Sequence, residues 1–274
     1  MPEALTRTIS GVVYIAVLLT ACWYSEWSFR VLMGLFLVLA TIEFSRLARF
    51  NSTAGLLLAL GLYIPFGCLE WFPKSGGWSI NDVNWILTTV AIATSVFLIQ
   101  NLFSNKSLII TSFLLKYFLL IGYVICSFII LTKIPYDDFG NYRPNKIIGL
   151  FILIWTNDTF AYIIGKSFGK HKLLERISPK KTIEGFLGGV LFTIIFSTFI
   201  AQYLIEDSVW KWVTISVIVV VFATLGDLVE SKFKRSANVK DSGNIMPGHG
   251  GILDRLDSII FVAPFVFLFY QIIN

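Results

Sequence analysis

Carboxylates set in or against long apolar stretches, with lysines and arginines beside them, are the residues of this chain best suited to chemistry. Asp158 sits in Trp155-Thr156-Asn157-Asp158-Thr159 and Asp227 in Leu225-Gly226-Asp227-Leu228. Glu230 follows Asp227 by three residues, so a continuing helix turns both the same way. Asp254 and Asp257 repeat that spacing, and Asp241 lies between the pairs. An acid inside a membrane span is costly and is by default a functional-site candidate. Converging acids repel unless something neutralises them. Hard divalent cations do this, and Mg²⁺ takes one or two carboxylates together with phosphate oxygens. The same segments carry Lys180, Lys181, Lys234, Arg235, Lys240 and Arg255. The combination points to a metal-bound polyphosphate held by cationic side chains at a lipid surface. A protein that only bound anionic lipid would need the bases and not the acids.

Each of these residues has a plainer reading. Asp158 could be a buried acid paired with a lysine, or part of an ion pathway, and Asp227 with Glu230 could be a solvated helix end. Lys232-Phe233-Lys234-Arg235 could be a topology and headgroup signal. Ser178-Pro179-Lys180-Lys181-Thr182 could cap the following helix, with Glu184 completing a crude helix start, or could present two cations and two hydroxyls to phosphate. His249, in Pro247-Gly248-His249-Gly250-Gly251, is either part of a flexible turn or lies in a glycine-rich backbone open to a phosphate. Glu43 reads as a partner of Arg46, Lys116 as snorkelling or facing the bundle, His171 as exposed, and Glu70 and Lys74 as lying on the far side.

The elements that must position these residues are membrane helices. Of 274 residues, 56% are hydrophobic and 14% charged, against about 25% charged in a soluble domain. This excludes a disordered chain, a disulfide scaffold and an ordinary cytosolic enzyme. Nine apolar stretches stand out, at roughly 8–24, 29–48, 54–72, 83–103, 108–132, 147–165, 185–205, 209–228 and 258–273. They are expected to be helices, because lipid offers no partner to exposed backbone groups. Trp23, Trp27, Trp71, Trp85, Trp210 and Trp212 lie near their ends, as an interfacial belt should. The fold class is therefore an all-α polytopic membrane protein of about nine helices.

With the N-terminus on the cytoplasmic side, fifteen lysines and arginines, Lys106 among them, fall on that side and six on the other. The inequality favours N-terminus in and C-terminus out, with the acids at a cytoplasm-facing polar site. The net charge of +5 fits basic cytoplasmic loops better than nucleic-acid binding. Cys22, Cys68 and Cys126 read as packing residues. The chain reads as one membrane domain: an N-terminal bundle over 1–146 for lipid and oligomer contacts, and a catalytic half over 147–274 with polar loops at about 166–184 and 229–257. A compact chain of this kind suits a bacterial inner membrane.

The stretch Ser231-Lys232-Phe233-Lys234-Arg235, then Lys240-Asp241-Ser242-Gly243, then Pro247-Gly248-His249-Gly250-Gly251-Ile252-Leu253-Asp254-Arg255-Leu256-Asp257 resembles the signature of phosphatidate cytidylyltransferases, or CDP-diacylglycerol synthases. One departure is Met246, where the family usually has Leu, Ile or Phe. A second block also looks like that family: Asn157-Asp158-Thr159, Ala161-Tyr162, Gly165-Lys166, Phe168-Gly169-Lys170 and Ser178 to Gly185. The resemblance covers roughly residues 150–260. It implies a polytopic, commonly dimeric enzyme that converts CTP and phosphatidic acid into CDP-diacylglycerol and pyrophosphate and depends on a divalent metal. The chemistry of the residues agrees. Bringing two polyanions together needs Mg²⁺ to neutralise charge, and a second cation could stabilise the pyrophosphate. No strong general base is required, because a phosphate monoester is already ionised.

On this basis Asp227 and Asp254 are the first expected metal ligands, with Asp241, Asp257 and Glu230 secondary. Asp158 is expected to orient substrate. Lys234, Arg235, Lys240 and Arg255 are expected on phosphates, and Lys180 and Lys181, with Ser178 and Thr182 beside them, on the lipid phosphate or the triphosphate. His249, Gly250 and Gly251 are expected at the triphosphate. Two rival readings remain: another membrane lipid-phosphate transferase, of the polyprenyl-phosphate sugar-phosphate type, and a transporter. A transporter would place acids near the midplane and could show inverted repeats; no internal repeat is apparent.

Overall fold

The computed structural model describes residues 3–69, 79–104, 112–137, 139–248 and 250–273. Among the residues singled out above, Glu70, Trp71, Lys74, Lys106 and His249 lie outside the described residues. The order is α1 (Glu3–Tyr24), α2 (Glu26–Leu47), α3 (Ser52–Tyr63), α4 (Ile80–Phe103), α5 (Phe113–Leu119), α6 (Cys126–Leu131), α7 (Pro144–Phe168), β1 (Lys172–Leu174), β2 (Ser178–Thr182), α8 (Ile183–Phe199), α9 (Val209–Ser236) and α10 (Leu253–Ile273). Wider π-helical turns extend α3 over Ile64–Cys68, join α5 to α6 over Leu120–Ile125, and extend α8 over Ile200–Ile205.

Eight helical segments among the described residues are long and apolar enough to cross a membrane. This is an all-α polytopic membrane protein. The third expected span appears as Ser52–Cys68, which is shorter; at 1.5 Å per residue it rises about 25 Å, a little under a hydrocarbon core of about 30 Å.

Contacts at the two ends fix the direction of each pass. At one end, Ser10 donates to the Pro247 carbonyl (3.0 Å), Lys116 to the Arg49 carbonyl (2.8 Å) and Arg176 to the Ser104 carbonyl (2.7 Å). At the other end, Tyr142 donates to the Cys22 carbonyl (2.8 Å), Arg30 to the Cys68 carbonyl (2.7 Å) and Asn145 to the Leu204 carbonyl (2.7 Å). The passes therefore alternate. The start of α1, the end of α2, the β strands and the start of α10 share one end of the molecule.

Local chemistry sets the starts. Ser25 and Ser28 form a reciprocal cap on α2, Ser79 and Asp82 do the same for α4, and Asn51 caps α3. These side chains satisfy amide groups that a helix leaves unpaired in its first turn. The core beside the polar end is aromatic: Phe44 and Phe233 meet edge to face at 5.5 Å, and Tyr123 packs on Phe233 and Phe261.

Two features differ from the expected pattern. Ser178–Thr182 is a strand, antiparallel to Lys172–Leu174, with Lys172 opposite Thr182 and Leu174 opposite Ser178. Strands this short carry no readable period, and Pro179 has no N–H to give to the pairing. Thr182 does cap α8, accepting from the Gly185 amide at 3.1 Å. Glu184, however, completes no capping box. It turns back to accept from the Lys170 amide (3.0 Å) and the His171 amide (3.2 Å), and bonds His171 Nδ1 (2.6 Å). It thereby closes the base of the hairpin.

Candidate active site

Four helices converge on the polar end. Asp158 is on the site-facing half of α7, Asp227 and Glu230 on the last turns of α9, and Asp254 and Asp257 on the first turns of α10. Gly226 lets α9 and α10 approach: a Cβ there would lie 2.7 Å from the Phe261 Cβ and 2.8 Å from the Asp257 carbonyl oxygen. Gly185 does the same for α8 and α7, where a Cβ would lie 2.6 Å from the Ala161 carbonyl oxygen. Between these helices is a cavity of about 720 Å³. Its walls include Asp158, Asp227, Asp254 and Asp257 from the helices, and Lys180, Lys181 and Thr182 from β2.

Asp227, Glu230 and Asp257 each offer a carboxylate oxygen within 4.8 Å of the others. Three carboxylate oxygens this close could hold one hard divalent cation after a modest side-chain adjustment. Glu230 is fully buried, and its Oε1 has no hydrogen-bond partner. Asp257 is 8% exposed. Around these acids Lys181 pairs with Asp227, and Lys234 pairs with Glu230 and with Asp254, the latter at 2.6 Å. Among the described residues, Lys181 and Lys234 pair directly with these grouped acids. A buried carboxylate without a full set of partners costs several kcal/mol, so the donor set suits a divalent cation.

The arrangement departs from the expected ranking at Asp254. Its Oδ2 accepts from the Ser242 amide (2.8 Å), the Gly251 amide (2.8 Å) and lies 2.9 Å from the Ser242 hydroxyl, while Oδ1 takes Lys234. Those contacts tie Asp254 to the loop and to Lys234; it still lines the cavity beside Asp227 and Asp257, whereas Glu230 lies behind the wall and joins the three-acid group from there. Asp241 is exposed and outside the three-acid group.

Lys234 faces acids rather than the open cavity. Gly250 and Gly251 back onto Asp254, with a Cβ at Gly250 placed 2.6 Å from Asp254 Oδ2. Gly248 and Gly250 have φ of +75° and +87°, so glycine is required for this turn's path. Arg235, Lys240 and Arg255 are exposed at the same end, and none of them, nor Ser178, lines the cavity. Lys232 is buried and donates to the Asn101 carbonyl at the end of α4.

The cavity also takes in Asn157, Tyr162, Lys166, Lys172, Phe186, Thr224 and Ser258, to which the residue-level reading gave no role. Thr224 lies three residues before Asp227, and helical spacing from the acids could have found it. Lys172 reaches the wall only through the hairpin. Glu43 was read as a partner of Arg46. Instead its carboxylate accepts from the Ile252 amide (3.0 Å) and the Leu253 amide (2.8 Å) at the start of α10.

Comparison with known proteins identifies the family. The cytidylyltransferase family model matches residues 5–273. A phosphatidate cytidylyltransferase of Staphylococcus saprophyticus subsp. saprophyticus is 36% identical over 265 residues, 96% of this chain and 95% of that protein. Phosphatidate cytidylyltransferases of Staphylococcus epidermidis and Staphylococcus haemolyticus are each 50% identical over 119 residues, 43% of this chain and 46% of theirs. With a family match over nearly its whole length, polar residues gathered at one end of a helical membrane bundle, and acids beside lysines, this chain belongs to the cytidylyltransferase family and is a multi-pass membrane nucleotidyltransferase.

Proposed function

We propose that this enzyme transfers the cytidylyl group of CTP to phosphatidic acid, giving CDP-diacylglycerol and pyrophosphate, with Mg²⁺ as cofactor, at the cytoplasmic face of a bacterial inner membrane. The observation that carries the reading is the cavity that Asp227 and Asp257 share with Lys180 and Lys181 at one end of the bundle. Closely grouped acids suit a metal, and the lysines along the wall suit phosphates. The names of the similar staphylococcal proteins support the choice of CTP and phosphatidate.

In the reaction an oxygen of the lipid phosphate bonds to the α-phosphorus of CTP. The bond from that phosphorus to the oxygen leading to the β-phosphate breaks, and pyrophosphate leaves with the electron pair. Asp227, Glu230 and Asp257 would hold Mg²⁺, which when bound supplies charge neutralisation and polarises the phosphoryl group. Lys181, now on Asp227, is placed to exchange that carboxylate for a phosphate oxygen. Lys166, Lys172 and Lys180 put positive charge along the cavity wall and draw anionic substrates in. Asp158 on α7 also lines the cavity and would orient the bound substrate. Catalysis of this kind is mainly positioning and electrostatics.

The test uses purified protein in detergent with CTP, phosphatidic acid and Mg²⁺. Formation of pyrophosphate and a CDP-lipid is the expected result. No product from CTP, with turnover of a UDP-sugar and polyprenyl phosphate, would move the assignment to the sugar-phosphate transferases.

A further inference from the structure

The loop before α10 is held by a residue far from it in sequence. Glu43, near the end of α2, is completely buried. Oε1 accepts from the Ile252 amide at 3.0 Å, Oε2 accepts from the Leu253 amide at 2.8 Å, and the Ser242 hydroxyl lies 3.0 Å from Oε2. The two amides belong to the opening turn of α10, where a helix has no internal acceptor for them and where negative charge is favoured. A carboxylate on one helix thus caps another. A Cβ at Gly243 or at Gly251 would collide with this carboxylate, so the loop backbone closes directly onto it.

The contacts continue toward the cavity. The Ser242 hydroxyl lies between Glu43 Oε2 and Asp254 Oδ2, at 3.0 and 2.9 Å. It has one proton to donate and is held by both. Asp254 then meets Lys234, and Lys234 meets Glu230. A continuous polar line therefore runs from α2 to the acids that would hold the metal.

The geometry points to Glu43 as a positioning residue for nucleotidyl transfer: it fixes the Ser242–Leu253 loop and the first turn of α10, and so aims Asp254 and Asp257 into the cavity. The kinetic part of this inference rests on the proposed reaction. It also makes α2 part of the catalytic unit, across the boundary expected at residue 146. Glu43 itself touches no substrate.

The experiment compares full-length wild type, E43Q, E43D, S242A and E43Q/S242A in detergent with CTP, phosphatidic acid and Mg²⁺. E43Q keeps the shape but turns a donor toward donors, so kcat falls about tenfold or more while KM for CTP stays within about threefold. E43D keeps the charge and recovers most of the loss. S242A also lowers kcat, and the double variant loses less than the two single losses combined, because both act along one line. Hydrogen exchange over residues 250–257 speeds up in E43Q and not in E43D, a readout independent of activity. A folded E43Q with kcat within about twofold of wild type, additive losses, or an E43D as slow as E43Q would each overturn the inference. If E43Q fails to fold, S242A decides, and unchanged turnover there overturns it. An inactive wild type would indict the proposed reaction; an active wild type with an unaffected E43Q would indict only the role of Glu43.

Discussion

At the scale of single residues, the acids of this site divide by what already holds them. Asp254 has its oxygens engaged by Ser242, Gly251 and Lys234, whereas Asp257 and Glu230 are buried among like charges with fewer partners. The two kinds of acid should respond differently to neutralisation. Asp257→Asn removes a proposed Mg²⁺ ligand and relieves repulsion, so turnover is expected to fall about 100-fold or more and the half-saturating Mg²⁺ to rise, while thermal stability holds or increases. Asp254→Asn can keep both backbone donors on its carbonyl oxygen but turns its NH2 toward the Lys234 ammonium, and costs about 1–3 kcal/mol of stability along with activity. Thermal melts in detergent beside Mg²⁺ titrations of turnover separate the two, and equal destabilisation by both would contradict the division. Lys181→Ala leaves Asp227 without its ion-pair partner and removes a phosphate contact; steady-state kinetics are expected to show a loss of about tenfold or more in kcat/KM, partly restored by Lys181→Arg.

At the scale of elements, the site depends on how closely helix backbones approach. Gly226→Ala places a methyl against Phe261 and the Asp257 carbonyl, and is expected to cost about 1–3 kcal/mol by pushing α9 from α10, with turnover falling as Asp227 and Asp257 separate. A melt unchanged from wild type would show that the contact is not tight. The hairpin of β1 and β2 is the other positioning element. It carries Lys180 and Lys181 to the cavity, and Arg176 in its turn donates to the Leu102 and Ser104 carbonyls at the end of α4. Its strands were illegible from sequence because three to five residues show no period. The helices were legible because about 20 apolar residues in a row leave few alternatives. The caps at Ser25 and Ser79 are local, whereas the cap that Glu43 supplies to α10 is not and could not be read from spacing.

At the scale of the whole molecule, alternating passes put the acids, the hairpin and the start of α1 at one end, with Phe139 exposed at the other. By the excess of lysine and arginine, we propose that the acidic end faces the cytoplasm. In a variant without native cysteines, a cysteine at Phe139 should react with a membrane-impermeant maleimide on intact cells, and one at Lys172 only after permeabilisation. The reverse pattern would invert the orientation.

The amino-acid sequence alone determined that this chain lives in a membrane as helices, because too few charges remain for a water-exposed surface. It also determined which acids and bases could do chemistry, because charge is rare enough in such a chain to be conspicuous. Tertiary structure alone decided which acids meet. Asp227, Glu230 and Asp257 converge because α9 and α10 touch at Gly226, and Asp254 reaches the cavity wall held by Ser242 and Gly251. Glu43 joined them by the same route. Its partners lie about two hundred residues away, and distances of that kind are set by packing, to which residue spacing along the chain is blind.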